Sequence, residues 1–175
     1  MNILEEFKYC PICGSSHFEE NSGKSKLCHN CGFEYFVNPS SANVAFILNE
    51  KDELLVATRK KEPAKGTLDL PGGFADVDET SEQAVTREVK EETCMEVIKT
   101  RYLFSLPNKY RYCGIDIPTL DMFYLCKVKK FSGLKADDDV ASLAWIPLKD
   151  IRTELFGLRS VRQGLLLFIK NYQKD

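Results

Sequence analysis

The chain has 175 residues, with 24 lysines and arginines against 26 aspartates and glutamates, and 43% of its residues are hydrophobic. This length and composition predict an ordinary globular protein with one main domain and room for a small appendage. The net charge of −2 disfavours a general nucleic-acid binder, which needs a basic excess. Because the apolar runs are too short to span a bilayer and no signal-peptide stretch is recognisable, we expect a cytoplasmic protein without membrane partners.

Two tight cysteine pairs stand near the N-terminus. Cys10-Pro-Ile-Cys13 and Cys28-His-Asn-Cys31 are separated by 14 residues, a spacing typical of a structural zinc site with four thiolate ligands. Two disulfides are the alternative, but disulfides rarely persist in a reducing compartment. The segment is too short to bury a sufficient core, so bound zinc would supply most of its folding free energy, about 10–16 kcal/mol in zinc-finger peptides.

His29 and the three other cysteines of the chain are not expected to bind this zinc ion. Because four thiolates complete a zinc shell, His29 is expected to be exposed. Cys94, Cys113 and Cys126 are expected to be small buried or half-buried hydrophobic residues.

The apolar runs after Asn38-Pro39 are nearly continuous, which predicts strands covered on both faces and therefore a layered α/β domain. Val44–Leu48 and Leu54–Thr58 are predicted to form a hairpin. A helix is predicted over Thr80–Thr93, begun by a capping box of Thr80 and Gln83. The other predicted elements are strands at Leu68–Leu70, Met122–Val128 and Ala144–Ile146, and a terminal helix at Gly157–Tyr172.

Three glutamates of the predicted helix share one face. Glu88, Glu91 and Glu92 stand at positions i, i+3 and i+4, where like charges destabilise a bare helix by about 0.2–0.5 kcal/mol per pair. Mg²⁺ or Mn²⁺ would relieve this repulsion, because hard cations prefer carboxylate oxygens. A solvated acidic face is the alternative. The glycine-rich turn before the helix and Arg87 beside the carboxylates favour a cation site.

The same segment resembles the Nudix box, G-x5-E-x7-R-E-U-x-E-E-x-G-U, where U is a bulky aliphatic residue. The residues in register are Gly73, Glu79, Arg87, Glu88, Val89, Glu91, Glu92 and Met95. Cys94 replaces the late glycine, which ends the helix in a left-handed conformation. Leu70-Pro71-Gly72-Gly73 and Trp145-Ile146-Pro147-Leu148 also resemble Nudix flanks, and the resemblance covers roughly Asn43–Tyr172.

The resemblance implies a Nudix α/β/α sandwich with a mixed sheet at residues 39–175, preceded by a small zinc ribbon at residues 1–38. It implies divalent-metal-dependent hydrolysis of a pyrophosphate bond in a nucleoside diphosphate derivative. Glu88, Glu91 and Glu92 would ligate catalytic Mg²⁺ or Mn²⁺, the Gly72 carbonyl would add a ligand, and Arg87 and Glu79 would brace the loop and helix. The general base would be Glu88, or Asp138 or Asp139, although Asp137–Asp139 also fits a solvated turn.

A zinc ribbon followed by an aromatic-rich segment and a Nudix domain resembles the NADH pyrophosphatase branch of the family. Of that branch's signature, S-Q-P-W-P-F-P-x-S, only Ser105 and Pro107 are present, so NADH specificity is poorly supported. Tyr110 and Tyr112 would stack on a base or ribose, or else pack within a strand. The basic side chains of the run Arg59-Lys60-Lys61 and of Lys65 would contact phosphates, or else form a basic patch on the surface.

Two other functions compete with a pyrophosphohydrolase that acts on a small-molecule nucleotide. One is a non-catalytic nucleotide-binding or regulatory Nudix protein that uses the zinc ribbon to recognise a partner. The other is a nucleic-acid module in the ribbon, which its two lysines against three glutamates in Tyr9–Phe36 disfavour. Relatives are often dimers, so a homodimer is also expected.

Overall fold

A computed structural model describes residues 3–129, 136 and 140–172 of the chain. The chain divides into two compact units. The first unit comprises Met1–Ser40 and Lys109–Pro118, and the second comprises Ser41–Asn108 and Thr119–Asp175. The boundary expected between residues 38 and 39 stays a prediction. Within the described residues, no helix is long and apolar enough to cross a membrane.

The described residues form three α-helices and ten β-strands. The elements of residues 3–74 are α1 Ile3–Glu6, β1 Phe18–Ser22, β2 Ser25–Cys28, β3 Glu34–Phe36, β4 Ser40–Phe46, β5 Glu53–Arg59, β6 Leu68–Asp69 and β7 Gly72–Phe74. The later elements are α2 Ser81–Thr93, β8 Val97–Tyr112, β9 Ile115–Val128, β10 Val140–Pro147 and α3 Arg159–Tyr172, with two short 3₁₀ turns at Leu148–Asp150 and Thr153–Leu155.

In the first unit, an antiparallel sheet in the order β1-β2-β3 packs on a very small core. Three buried residues, Cys10, Phe18 and Cys28, are covered by the half-buried rings of Phe7, Phe33 and Tyr35. The Lys26 ammonium lies 5.1 Å from the centre of the Phe18 ring. So small a core supplies little of the free energy that orders the chain, which is consistent with the expectation that a metal holds this unit together.

The second unit contains two sheets, in the orders β10-β5-β6 and β7-β4-β9-β8. The predicted hairpin pairs only next to its turn, because β4 and β5 lie in different sheets. The chain reverses after Leu48, where a bridge joins Leu48 to Leu54 and the Leu55 N–H donates to the Ile47 carbonyl at 2.9 Å. Beyond that bridge, β5 pairs with β10, where Leu55 faces Trp145. The turn pattern in the sequence predicted the reversal but could not predict which strand would take β5 as its neighbour.

Helices cover both faces of β4, which confirms the α/β/α layers. Val44 and Phe46 pack in the core that holds Leu165 and Phe168 of α3. Ala45, on the opposite face of the same strand, and Ile47, just after its end, pack in the core that holds two residues of α2, Val85 and Val89. Alternate side chains of a strand point to opposite faces, so the near-continuous apolar run predicted this burial on both sides.

The sequence did not predict β8, which runs over 16 residues from Val97 to Tyr112. None of its 16 residues is buried, and it lacks the apolar alternation that marks a half-buried strand. It turns into β9 at Cys113-Gly114, whose φ angles of 47° and 83° fit a tight type I′ hairpin turn. Cys113 and Cys94 are exposed, so the expectation of buried side chains is wrong for both, while Cys126 is buried as expected.

Cys94 ends α2 in the left-handed conformation that the family pattern assigns to glycine. Its φ is 58°, and its N–H donates to the Lys90 carbonyl at 2.9 Å. We expect Cys94→Gly to raise the free energy of unfolding by about 1 kcal/mol, because a residue with a Cβ is strained there. Urea denaturation at a constant m-value measures the change. Cys94→Ala keeps a Cβ and should show no such gain, whereas equal stability of both variants would contradict the explanation.

Candidate functional site

The helix that carries the three glutamates begins with the predicted capping box. The Gln83 N–H donates to Thr80 Oγ1 at 3.2 Å, and the Thr80 N–H donates to Gln83 Oε1 at 2.8 Å. The inward face of α2 buries Ala84, Val85 and Val89. Fixing these apolar residues against the sheet fixes the rotation of the helix, and therefore the direction of its carboxylates.

Two of the carboxylates lie against the glycine-rich strand β7. The Gly72 N–H donates to Glu92 Oε2 at 2.9 Å, and Glu92 is only 8% exposed. A Cβ on Gly73 would lie 2.4 Å from Glu88 Oε1, so the Glu88 carboxylate occupies the place where a side chain would be. Gly73 is therefore needed for the close approach of the Glu88 carboxylate to β7, whereas Gly72 is needed for the close approach of β7 to the backbone of β4.

Arg87 forms hydrogen bonds with several acidic side chains of the site. Its Nη1 donates to Glu88 Oε1 at 2.9 Å and to Glu91 Oε2 at 3.0 Å. Its Nη2 donates to the Phe74 carbonyl at 3.0 Å, so the guanidinium ties the helix to the loop after β7. The hydrogen bond to Glu79 contributes most to raising the pKa of Arg87, and those to Glu88 and Glu91 contribute less. The guanidinium therefore stays positively charged.

Glu79 closes the loop between β7 and α2. Arg87 donates to both its carboxylate oxygens, from Nε at 2.8 Å and from Nη2 at 3.0 Å, and the Asp76 N–H donates to Oε2 at 3.0 Å. These hydrogen bonds, that of Arg87 first, lower the pKa of Glu79. Glu79 and Arg87 therefore have the geometry of a brace, as the resemblance implied, although their roles stay a prediction.

The carboxylates fit a hard divalent cation by their chemistry. Glu88 and Glu92 lie close to the backbone of β7, and their oxygens are of the type that Mg²⁺ and Mn²⁺ prefer. Among the described residues, the group of acidic, histidine or cysteine side chains close enough to share one ion is that of Cys10, Cys13, Cys28 and Cys31, and the three glutamates do not form such a group. The three glutamates and the Gly72 carbonyl stay predicted ligands.

An open groove of about 910 Å³ follows the exposed face of α2. Its lining consists of Glu82, Gln83, Thr86, Arg87, Lys90, Glu91, Cys94 and Thr100. Of the predicted substrate contacts, Tyr110 is half-buried, while Tyr112 is 58% exposed, so strand packing does not account for Tyr112. The candidate bases Asp138 and Asp139, like Asp137, lie outside the described residues.

Arg59 is half-buried, whereas the sequence suggested that it belongs to an exposed basic run. Its side chain is 17% exposed and forms an ion pair with Asp69, and Nε donates to the Pro63 carbonyl at 2.7 Å. Burial has the largest effect on the Asp69 carboxyl and raises its pKa, while the nearby Arg59 guanidinium acts in the opposite direction. Lys60, Lys61 and Lys65 are exposed. No local pattern indicated this pair, because its partners are ten residues apart and meet only when β5 and β6 pair.

The four cysteines of the first unit meet as expected. The Sγ atoms of Cys10 and Cys31 are 3.7 Å apart, and those of Cys13 and Cys28 are 3.6 Å apart. Tetrahedral coordination with Zn–S bonds of about 2.3 Å requires sulfurs about 3.8 Å apart. All four sulfurs lie within 4.8 Å of one another, so their spacing and chemistry fit one zinc ion.

The thiols are unequal in acidity. A hydrogen bond from the Asn30 amide, with a smaller contribution from the Ser15 backbone, lowers the pKa of Cys13 to about 6. Although the Phe33 N–H lowers the pKa of Cys31, desolvation and the neighbouring thiols raise it to about 12. Four adjacent thiolates therefore require a cation to coexist at neutral pH. His29 is exposed, as expected.

A family model described as the NUDIX domain matches residues 37–165, which is most of the chain and includes the whole of α2. The chain belongs to the NUDIX domain family. This confirms the resemblance that the box and its flanks indicated, and with it the expected Nudix fold.

Individual relatives agree with this assignment. The NAD-capped RNA hydrolase NudC of Shigella flexneri is 33% identical over 100 residues, which cover 57% of this chain but only 38% of that protein. A NUDIX hydrolase from Nitrosomonas europaea has a similar fold, with a TM-score of 0.72 and 18% identity over 95% of this chain and 93% of that chain.

A third similar protein is a bifunctional NMN adenylyltransferase/ADP ribose pyrophosphatase from Francisella tularensis. It is 25% identical, with a TM-score of 0.61, over 78% of this chain and 42% of that chain. The two solved structures show the fold of the NUDIX region, and the match to the family model shows the family.

The adjacent glycines of β7 should respond differently to alanine. Gly72 has a φ of 150°, and a Cβ there would lie 2.0 Å from the Asn43 carbonyl oxygen. Because a backbone atom cannot yield, we expect Gly72→Ala to lower the free energy of unfolding by about 3 kcal/mol. In Gly73→Ala the flexible Glu88 side chain can yield, so we expect a loss of stability of only about 1 kcal/mol and a kcat about 100-fold lower.

Thermal unfolding and steady-state kinetics measure the two effects. Gly23→Ala is a matched control, because a Cβ at Gly23 would meet nothing within 4 Å. It should change stability by less than about 0.5 kcal/mol. Full activity of Gly73→Ala would show that the position of Glu88 does not matter for turnover.

Proposed function

We propose that the chain hydrolyses the pyrophosphate bond of a nucleoside diphosphate derivative with the help of Mg²⁺ or Mn²⁺. The observation that carries the proposal is the arrangement of Glu88 and Glu92 against β7, with Glu91 and Arg87 beside them, inside the region that matches the NUDIX family. The names of two similar proteins, a hydrolase and a pyrophosphatase, support the same reaction class.

The proposed roles follow from the contacts of each side chain. Glu88, Glu91 and Glu92 hold the divalent cation, which when bound offsets charge on the pyrophosphate and activates a water. The Gly72 N–H orients the Glu92 carboxylate, and the Arg87 guanidinium holds Glu88 and Glu91 on one side of α2. Glu88 is the first candidate for the proton acceptor, because its carboxylate lies at the helix face that meets β7, and Asp138 or Asp139 is the alternative.

We propose that the substrate contains an ADP-ribose portion. The name of the Shigella flexneri relative specifies NAD-capped RNA, and that of the Francisella tularensis protein specifies ADP ribose. Both substrates contain an adenosine joined through a pyrophosphate to a second ribose. The chain covers only 38% of the length of the first relative, so its choice among such compounds needs a direct measurement.

A panel of substrates tests this function. NADH, NAD-capped RNA, ADP-ribose, dinucleoside polyphosphates, nucleotide sugars and nucleoside triphosphates are incubated with Mg²⁺ or Mn²⁺, and the products are separated chromatographically. We expect NADH and ADP-ribose to be cleaved to AMP and a second monophosphate, and NAD-capped RNA to be cleaved to nicotinamide mononucleotide and an RNA with a 5′-monophosphate. If no compound yields a product, the chain is instead a nucleotide-binding or regulatory Nudix protein.

We propose that the four cysteines bind one structural zinc ion, because their spacing and chemistry fit it. The cytoplasmic location and the homodimer expected from the sequence stay predictions. The NAD-capped RNA in the panel tests whether the substrate can carry an attached RNA. Cleavage of that compound would contradict the expectation that nucleic acid is not a partner.

A further inference from the structure

Asn43 carries a buried hydrogen-bond donor that lacks a partner. The residue lies in β4 and is 1% exposed, and its Nδ2 is a fully buried side-chain nitrogen without a hydrogen-bond partner in the described residues. A buried amide N–H that bonds neither protein nor water is costly, so such groups are rare. The Asn43 Nδ2–H group is therefore expected to bond an acceptor in the catalytically active arrangement of the site.

The orientation of the Asn43 amide follows from its other end. Ser81, the first residue of α2, donates a hydrogen bond from Oγ to Asn43 Oδ1. Tyr124 of β9 donates from its hydroxyl to Ser81 Oγ at 2.7 Å. Each hydroxyl has one proton to give, and both have a second, longer contact, from Tyr124 to Glu82 Oε1 at 3.5 Å and from Ser81 to Met122 Sδ at 3.4 Å. The shorter contacts, from Tyr124 to Ser81 and from Ser81 to Asn43, turn the Asn43 oxygen towards Ser81 and its NH₂ group away from it.

The same side chain lies on the face of the sheet that meets Glu88. Asn43 is paired with Gly73 across the antiparallel strands β4 and β7. Residues directly opposite one another in such a pair have side chains on the same face, with Cβ positions about 4.5–5.5 Å apart. The Cβ position of Gly73 lies 2.4 Å from Glu88 Oε1. The Glu88 carboxylate is therefore the cross-strand neighbour of the Asn43 amide.

We propose that Asn43 is a positioning residue whose Nδ2–H donor sets the Glu88 carboxylate for turnover, while its oxygen is held by Ser81. The inference rests on the proposed function, because it gives Glu88 a role in the reaction. Asn43 itself touches no substrate, since it is buried beneath the helix. Its effect should therefore fall on kcat and not on KM.

Substitutions at Asn43 separate the donor from the contact with Ser81. Asn43→Asp keeps the shape and the oxygen that Ser81 binds, but it replaces the donor with a negative oxygen facing Glu88. Asn43→Ala removes both ends. If the donor matters, we expect kcat to fall about 50-fold in Asn43→Asp and about 10-fold in Asn43→Ala, with KM within twofold of wild type. A purely structural role predicts losses of kcat that follow the losses of Tm in the two variants, whereas a donor that acts on Glu88 predicts a loss of kcat at temperatures well below Tm.

Ser160→Ala is the matched control, because it removes one buried hydrogen bond, from Ser160 of α3 to Asp121, and leaves the Asn43 donor and its contact with Ser81 in place. We expect it to lower Tm about as much as Asn43→Ala while kcat stays within threefold. Should Asn43→Asp fail to fold by circular dichroism, Asn43→Leu replaces it, with the same shape, no polar atoms and an expected kcat at least tenfold below wild type. A kcat within twofold of wild type in the folded donorless variant, or equal losses of kcat in Ser160→Ala, would overturn the inference.

The failure of the inference is distinct from the failure of the proposed function. A wild-type chain that cleaves no compound of the panel overturns both. A wild-type chain that is active, with Asn43→Asp as active as wild type, overturns the role of Asn43 alone.

Discussion

Glu91→Gln is expected to lower kcat by about 10³-fold or more while the fold stays intact. Glutamine has the size of glutamate but no charge, so it binds a hard cation weakly, and a loss of about 4 kcal/mol of transition-state stabilisation corresponds to that factor. The Glu91 side chain is 45% exposed, and its ion pair is with Arg87 at 3.0 Å. An exposed i,i+4 pair contributes only about 0.3–0.5 kcal/mol to stability.

Glu91 is a cleaner target than its neighbours on α2. Glu92 is buried and accepts the Gly72 N–H, so Glu92→Gln would alter the packing of β7 as well as the charge. Glu88 fills the space above Gly73, with the same consequence. A change in turnover on replacing Glu91 therefore reports on its carboxylate and not on the approach of helix and strand.

Glu96→Gln is the matched control for this prediction. Glu96 follows α2, its side chain is 65% exposed, and it pairs with Lys129 at 2.6 Å on the surface. The same loss of one negative charge there should leave kcat within twofold. Steady-state kinetics on the best substrate of the panel, with circular dichroism to verify folding, compares the two variants. Full activity of Glu91→Gln would refute the proposed cation site.

The site could be predicted from the sequence where its geometry is local. The spacing of Glu88, Glu91 and Glu92 along one helix fixes their common side, and the Thr80–Gln83 capping box fixes where that helix begins. The paired glycines of β7 indicated a close backbone approach, and the Glu88 carboxylate does lie directly above Gly73. These features depend on helix periodicity and chain geometry within some 20 residues, which a sequence specifies directly.

Contacts between distant segments could not be predicted in the same way. Asn43 and Ser81 are 38 positions apart, and Tyr124 is a further 43 positions along the chain. Nothing in the local sequence of β4 distinguishes an asparagine facing α2 from one facing solvent. The pairing of β5 with β10 depends equally on which long-range partner buries more apolar surface, a choice that local turn chemistry does not decide.

Cys28→Ser is expected to abolish zinc binding and to unfold the segment of β1, β2 and β3. Cys28 is fully buried, and its Sγ lies 3.6 Å from that of Cys13. The loss of a structural zinc ion removes about 10–16 kcal/mol in zinc-finger peptides, far more than a core of three buried residues can replace. Metal analysis should fall from one zinc per chain to none, and hydrogen exchange of residues 18–36 should become fast.

Cys94→Ser is the control that separates a zinc ligand from any other thiol. Cys94 is an exposed cysteine at the end of α2 and is not part of the four-sulfur cluster, so its replacement should keep one zinc per chain and slow exchange in residues 18–36. A chelator added to the wild-type chain should reproduce the Cys28→Ser result, because both treatments leave the remaining thiols without the cation that offsets their charge. If protein purified without chelator contains no zinc and residues 18–36 still exchange slowly, this small core is stable by packing alone, and the zinc assignment is wrong.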